Sequence, residues 1–181
     1  MDETRERFER TVLPHLDSAY SLARWLVRDP QDAQDVVQDA ALRALRHFGG
    51  FRGTDPRPWL MAIVRNASYA FLRARRPGEL HELNVDELDA APAEGSMDLD
   101  PEKVLMHKME KAMLNEAITA LPVAYRECLV LRELEDLSYR EIARIADVPV
   151  GTVMSRLSRA RRLLAQSLGA ISHAAEREAL K

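Results

Sequence analysis

Long apolar runs are missing: nowhere in the 181 residues does one approach the roughly eighteen residues of a membrane span. The opening Met1 to Leu16 is polar and charged and lacks a signal-peptide core, so a cytoplasmic protein without membrane insertion is expected. There is a single cysteine, Cys128, which excludes an internal disulfide. It lies among helix-forming apolar residues and reads as a buried structural thiol. His15, His47, His81, His107 and His173 are scattered without ligand spacing, so no metal site and no cofactor are expected. No Val/Ile/Thr-rich alternating run marks a sheet. A phosphate loop and any pairing of nucleophile with base are also missing, which argues against an enzyme and against a small-molecule substrate.

An overall excess of positive charge is absent as well, the formal net charge being -3. Its distribution along the chain changes the reading. Residues 1–77 carry 13 Lys/Arg against 10 Asp/Glu, residues 78–112 carry 3 against 10, and residues 113–181 carry 10 against 9. The acidity is therefore concentrated in the middle. Two flanking stretches contain no carboxylate: Pro56 to Gly78, with Arg57, Arg65, Arg73, Arg75 and Arg76, and Val148 to Ala175, with Arg156, Arg159, Arg161 and Arg162. Two separate basic surfaces are the electrostatic footprint that phosphate binding requires.

Helical periodicity dominates what is present, and the expected class is all-α. A first helix is predicted over about Glu6 to Val27, bent near Pro14. Asp29-Pro30 reads as an N-cap with proline at the first helical position, opening a helix to about Phe48. Gly49, Gly50 and Gly53 with Pro56 and Pro58 interrupt the chain before a helix from about Trp59 to Arg76. Residues 78–100 are acidic, free of aromatics and aperiodic, and read as a flexible linker between lobes at 1–77 and 101–181. Asp100-Pro101 opens a helix to about Leu121, and Pro122 another to about Leu134. Ser138 to Glu141 is a capping box for a short helix ending near Ala146. A turn at Asp147 to Pro149 leads into a last helix from about Val150 to Leu168.

Three faces carry chemistry. On the last helix Val153, Leu157, Ala160 and Leu164 fall in one sector, and Ser155, Ser158, Arg159 and Arg162 lie opposite. That acid-free face suits the major groove, with Gly151 letting the helix start approach the backbone and Arg156 and Arg161 placed on the flanks for phosphates. On the helix Trp59 to Arg76, the wheel puts Trp59, Ile63, Ala67, Ala70 and Ala74 inward, with Leu60, Val64 and Phe71. Arg65, Tyr69, Arg73 and Arg76 fall outward with Asn66 at the edge, a basic stripe with an aromatic inside it, as single-strand binders use. On Asp29 to His47, Val36, Val37, Ala40 and Leu45 are expected inside. Asp32, Asp35, Gln38, Asp39 and Arg43 make a mostly acidic face, which would repel nucleic acid and suits a protein partner.

In this order the segments resemble extracytoplasmic-function sigma factors of bacterial RNA polymerase. DAQDVVQDAALRAL is similar to their core-polymerase-binding region 2.2, and FRGTDPRPWLMAIVRNASYAFLRARRP to their promoter-melting and minus-10 segment. ALPVAYRECLVLRELEDLSYREIARIADVPVGTVMSRLSRARRLL resembles region 4, the minus-35 reader. The resemblance implies two small helical domains, a region 2 bundle and a region 4 helix-turn-helix, and assigns Asp35, Gln38, Asp39 and Arg43 to the polymerase clamp. It implies minus-10 contacts from Arg52, Asp55, Arg57, Arg65, Asn66, Tyr69, Arg73 and Arg76, with the loop Arg52 to Pro58 around a flipped base. It implies minus-35 contacts from Gly151, Thr152, Ser155, Arg156, Ser158, Arg159 and Arg162. Core RNA polymerase, promoter DNA and an anti-sigma factor are the implied partners. Asp147 stands where the family often has glycine; aspartate tolerates the left-handed conformation, so the turn is expected intact. Two other binding classes stay open on sequence alone: a dimeric helix-turn-helix repressor, which would hold operator DNA without polymerase, and an adaptor for an anti-sigma protein.

Overall fold

The computed structural model describes residues 2–81 and 102–179. Every regular element among them is helical. The N-terminal lobe holds α1 (Asp2–Val12), α2 (Leu16–Val27), α3 (Pro30–His47) and α4 (Pro56–Arg75), followed by a single turn, α5 (Gly78–His81). The C-terminal lobe holds α6 (Glu102–Ala120), α7 (Val123–Glu133), α8 (Tyr139–Ala146) and α9 (Val150–Ala179). No described helix is long and apolar enough to cross a membrane.

Local chemistry sets the helix starts. The Asp29 carboxylate accepts from the Gln31 and Asp32 amides at 2.8 and 3.0 Å, with Pro30 supplying the first helical residue of α3. Those bonds, the Asp32 amide foremost, lower the Asp29 pKa. Asp55 caps α4 in the same way, accepting from the Arg57 amide at 2.9 Å, so this helix begins at Pro56 rather than near Trp59. Ser138 and Glu141 form the reciprocal capping box of α8. Asp147 closes α8 in the left-handed region at φ 54°, so the turn is intact without glycine.

Other boundaries differ from expectation. The helix predicted over Glu6 to Val27 is two helices separated by a 3-10 turn at Leu13–His15, because Pro14 removes a backbone donor where a continuous helix would need it. Helix α9 continues past Leu168 to Ala179. The segment read as linker opens with the turn Gly78–His81, its remainder lying outside the described residues.

The lobes pack together. Leu22, Leu26, Leu60, Met61, Val64 and Leu72 form the centre of the first core; Leu131, Ile142, Val153, Leu157 and Ala160 form that of the second. Both belong to one continuous apolar cluster, since α2 lies on α7 and α4 lies on α8. Each fully buried large side chain contributes roughly 1.5–3 kcal/mol to holding its neighbours together. Cys128 is buried and free, and desolvation, followed by the adjacent Glu127 charge, pushes its thiol up to about 12. It is a small core residue and not a poised nucleophile.

Candidate nucleic-acid and partner interfaces

Helix α9 presents the expected buried and outward sides. Val153, Leu157 and Ala160 are buried while Ser155 and Arg162 are exposed and Ser158 and Arg159 half-buried. Gly151 is exposed with open space where a side chain would stand, and Thr152 is half-buried beside it. The Ser155 hydroxyl donates to the Thr152 carbonyl at 3.0 Å, leaving its oxygen lone pairs outward. Arg161 is drawn to Glu133 of α7 at 2.7 Å and so braces α9 on α7 within the lobe. Arg156 is half-buried and turned toward Cys128, where its charge and hydrogen bond act against the burial that raises the thiol.

The aromatic-lined loop before α4 is held from beneath. Phe51 stacks on Phe48 at 6.0 Å between ring centroids and lies 4.9 Å from the Trp59 ring, so Trp59 serves as part of the loop's foundation. Gly53 passes so close that a Cβ there would meet the Phe51 ring at 2.9 Å, so any larger residue would have to push that ring aside. Arg52 folds back to the Gly49 carbonyl at 2.7 Å. Together with the Asp55 cap these contacts fix the loop's shape, while Arg52, Gly53, Thr54 and Asp55 remain exposed along its outer edge.

Helix α4 itself is rotated relative to the sequence reading. Ala70 and Ala74, expected inside, are exposed; Ser68 and Tyr69 are buried instead. The reason is a second packing partner: α4 faces the C-terminal lobe as well as its own bundle. Arg65 Nε donates to the buried Glu127 carboxylate at 2.6 Å and Tyr69 Oη donates to it at 2.9 Å, while Arg57 Nη2 reaches Glu135 at 2.6 Å. Burial first, then the Glu127 charge, drives the Tyr69 pKa upward, and the pair with Glu127 raises Arg65 despite its desolvation. Arg76 ties α4 to the Val27 carbonyl at 2.9 Å and to Asp32 at 3.2 Å. Arg73 and Asn66 are exposed. The predicted stripe is thus divided: Arg73 and Asn66 face solvent, Arg65 and Tyr69 face the other lobe with Arg57 of the first turn, and Arg76 turns to Val27 and Asp32 of its own lobe.

On α3, Asp35, Gln38, Asp39 and Arg43 are all exposed, with Asp39 and Arg43 paired at 2.7 Å. Ala33, Val36, Ala40 and Ala44 form the buried side. Leu45, expected inside, is 39 % exposed, and Leu42 is 49 % exposed. The narrow alanine-rich seam lets α3 sit close to its neighbours and leaves both leucines outside. The outward face therefore mixes carboxylates with apolar side chains, a composition suited to a protein partner.

Glu127 and Glu135 were not legible as buried inter-lobe partners, since a lone carboxylate in a helix usually points to water. The available clue was composition: Arg126 and Glu127 stand inside the apolar run Val123 to Leu131, with no polar face left to hold them.

Comparison with known proteins agrees with the geometry. Residues 11–77 match the model of Sigma-70 region 2 and residues 111–164 that of Sigma-70 region 4. The RNA polymerase sigma-H factor of Pseudomonas aeruginosa is 36% identical over 91% of this chain and 87% of its own length. The ECF RNA polymerase sigma-E factor of Escherichia coli is 38% identical over 72% of this chain and 70% of its own. Among solved structures, the sigma factor RpoE from Bartonella quintana, crystallised with the anti-sigma factor NepR, superposes with a TM-score of 0.67 at 28% identity, covering 91% of this chain and 98% of that one. With both region models matched in order and a relative aligned along nearly its whole length, the chain belongs to the extracytoplasmic-function family of sigma factors, which direct bacterial RNA polymerase to promoters.

Proposed function

We propose that lobes corresponding to 1–77 and 101–181, joined by the segment 78–100, dock on core polymerase and read two promoter elements. The exposed acidic and apolar face of α3, with Asp35, Gln38, Asp39 and Arg43, meets the clamp helices. The Arg52 to Pro58 loop, with Asn66 and Arg73, takes a base flipped from the non-template strand. Capture of unstacked bases offsets the few kcal/mol of unpairing, so melting needs no catalytic group and the chain is not an enzyme. Ser155 and Arg159 read minus-35 bases, and Arg156 and Arg162 hold phosphates.

The observation that carries this reading is an acid-free α9 face with Ser155 and Arg162 exposed, in the same chain as a braced, solvent-facing loop ahead of α4. Each surface alone is small. Simultaneous engagement multiplies weak affinities, provided that a larger assembly sets the spacing. Control by an anti-sigma factor is supported by the likeness to a sigma factor crystallised with one. The site of action is the cytoplasm, where polymerase works. The test is run-off transcription with core polymerase alongside gel shifts of the isolated chain. Initiation only with both components, and weak binding of the chain alone, is expected. Tight operator binding by the chain alone, with no gain in initiation, would mean a repressor instead.

A further inference from the structure

The first two turns of α9 carry an exposed patch without charge. Met154 is 54% exposed, the most of any large apolar side chain among the described residues, and Val150 is 37% exposed. Gly151 and Ser155, also exposed, complete the patch, because positions three and four apart are neighbours on a helix. Nothing lies within 4 Å of where a Gly151 Cβ would stand, so the patch holds a shallow notch bordered by Val150 and Met154. An open groove lined by Arg140, Arg144 and Val150 adjoins it, and both arginines are exposed on α8.

Neither Met154 nor Val150 offers a hydrogen bond that a phosphate or a polar base edge could use. The apolar group that base pairs present in the major groove is the thymine C5-methyl. An unbranched, polarizable thioether adapts well to such a small apolar target. The surroundings favour DNA: α9 carries no carboxylate from Val150 to Ala175, and Arg140 and Arg144 place positive charge beside the patch, suited to the flanking phosphates.

We propose that Met154, with Val150 and the notch at Gly151, seats the C5-methyl of a thymine in the minus-35 element and makes the chain select thymine at one position. This rests on the assignment of α9 to minus-35 bases in the preceding section. Met154 and Ser155 differ by about 1.5 Å along the helix axis, less than half of the roughly 3.4 Å rise of a base pair. The thymine therefore belongs to the pair that Ser155 addresses or to the one next to it. Loss of one methyl from an apolar contact amounts to about fourfold in affinity.

The experiment uses the full chain with core polymerase. The preferred bases of the minus-35 element are mapped by single-base variation, and each preferred thymine is then replaced by deoxyuridine, which removes the methyl and keeps every hydrogen-bonding group. Initiation is expected to fall about fourfold at one such position. Met154→Ala, at an exposed site outside the core, is expected to give the same loss on the thymine template and no further loss on the deoxyuridine template. Met154→Leu, which keeps an apolar end in that place, retains a preference for thymine. Three results overturn the proposal: no thymine among the preferred bases, a deoxyuridine effect that survives Met154→Ala, or a Met154→Ala loss equal on both templates. Undiminished initiation by Met154→Ala on every template overturns it as well and turns the patch into a surface for a protein partner. Initiation by the unaltered chain and the base-specific loss from Arg159→Ala test the sigma assignment separately; with both intact and deoxyuridine without effect, the methyl contact alone fails.

Discussion

Replacing Arg159 with alanine tests the sharpest residue-level claim. Arg159 lies on the outward side of α9, one turn beyond Ser155, with Val153, Leu157 and Ala160 buried behind them. Four residues advance about 6 Å along a helix axis, and base pairs rise by about 3.4 Å each. Ser155 and Arg159 therefore address bases no more than about two steps apart. A bidentate arginine contact to guanine contributes about 1 to 3 kcal/mol of discrimination. Arg159→Ala should accordingly lower initiation about 5- to 150-fold on the preferred base at one position, and much less on promoters that carry another base there. Ser155→Ala should relax a neighbouring position by a smaller amount, whereas Arg162→Ala should weaken all promoters alike and reduce the salt slope by about one. The assay is run-off transcription with core polymerase on a library in which each minus-35 base is varied singly. A uniform loss from Arg159→Ala, matching that from Arg162→Ala, would place Arg159 on the phosphate backbone and refute the reasoning.

Gly53→Ala forces a Cβ to 2.9 Å from the Phe51 ring, which Phe48 and Trp59 hold in place; a loss of about 1 to 3 kcal/mol in urea unfolding is expected, with reduced strand opening by permanganate footprinting. Ser138→Ala removes one half of the α8 capping box and should cost about 1 kcal/mol. Hydrogen bonds from Ser138 hold the Glu141 pKa below its ordinary 4.5. The stability this contributes is present above that value and lost as pH falls through the lowered folded pKa, so Glu141→Gln should flatten the acid limb of a stability titration. Leu42→Glu, on the exposed α3 face, should weaken binding to core polymerase in a pull-down while leaving the unfolding midpoint unchanged.

Much of this architecture could be read from local chemistry. Asp29 and Ser138 cap helices by accepting from amides two or three residues on, and the Asp147 amide closes α8 by donating to the Ala143 carbonyl; such contacts depend on neighbours in sequence. The α9 face was legible for the same reason: it packs one way, and its apolar period shows it. Helix α4 was not. Its wheel counts Ala70 and Ala74 as apolar, but alanine buries little, and contact with the other lobe draws Tyr69 and Arg65 inward by bonds spanning some sixty residues. No local period encodes that partner. Leu45 was misread for a related reason, since a seam of alanines on α3 fills the interior without it. Glu127 escaped notice because its role exists only once the lobes meet.

A base-by-base substitution scan of a promoter, read by transcription from core polymerase plus this chain, tests most directly whether two basic surfaces on one chain read one duplex. The account predicts two separated blocks of sensitive positions, the upstream one altered by Arg159→Ala and the downstream one by Arg73→Ala. A single block, or sensitivity that neither substitution changes, would contradict it.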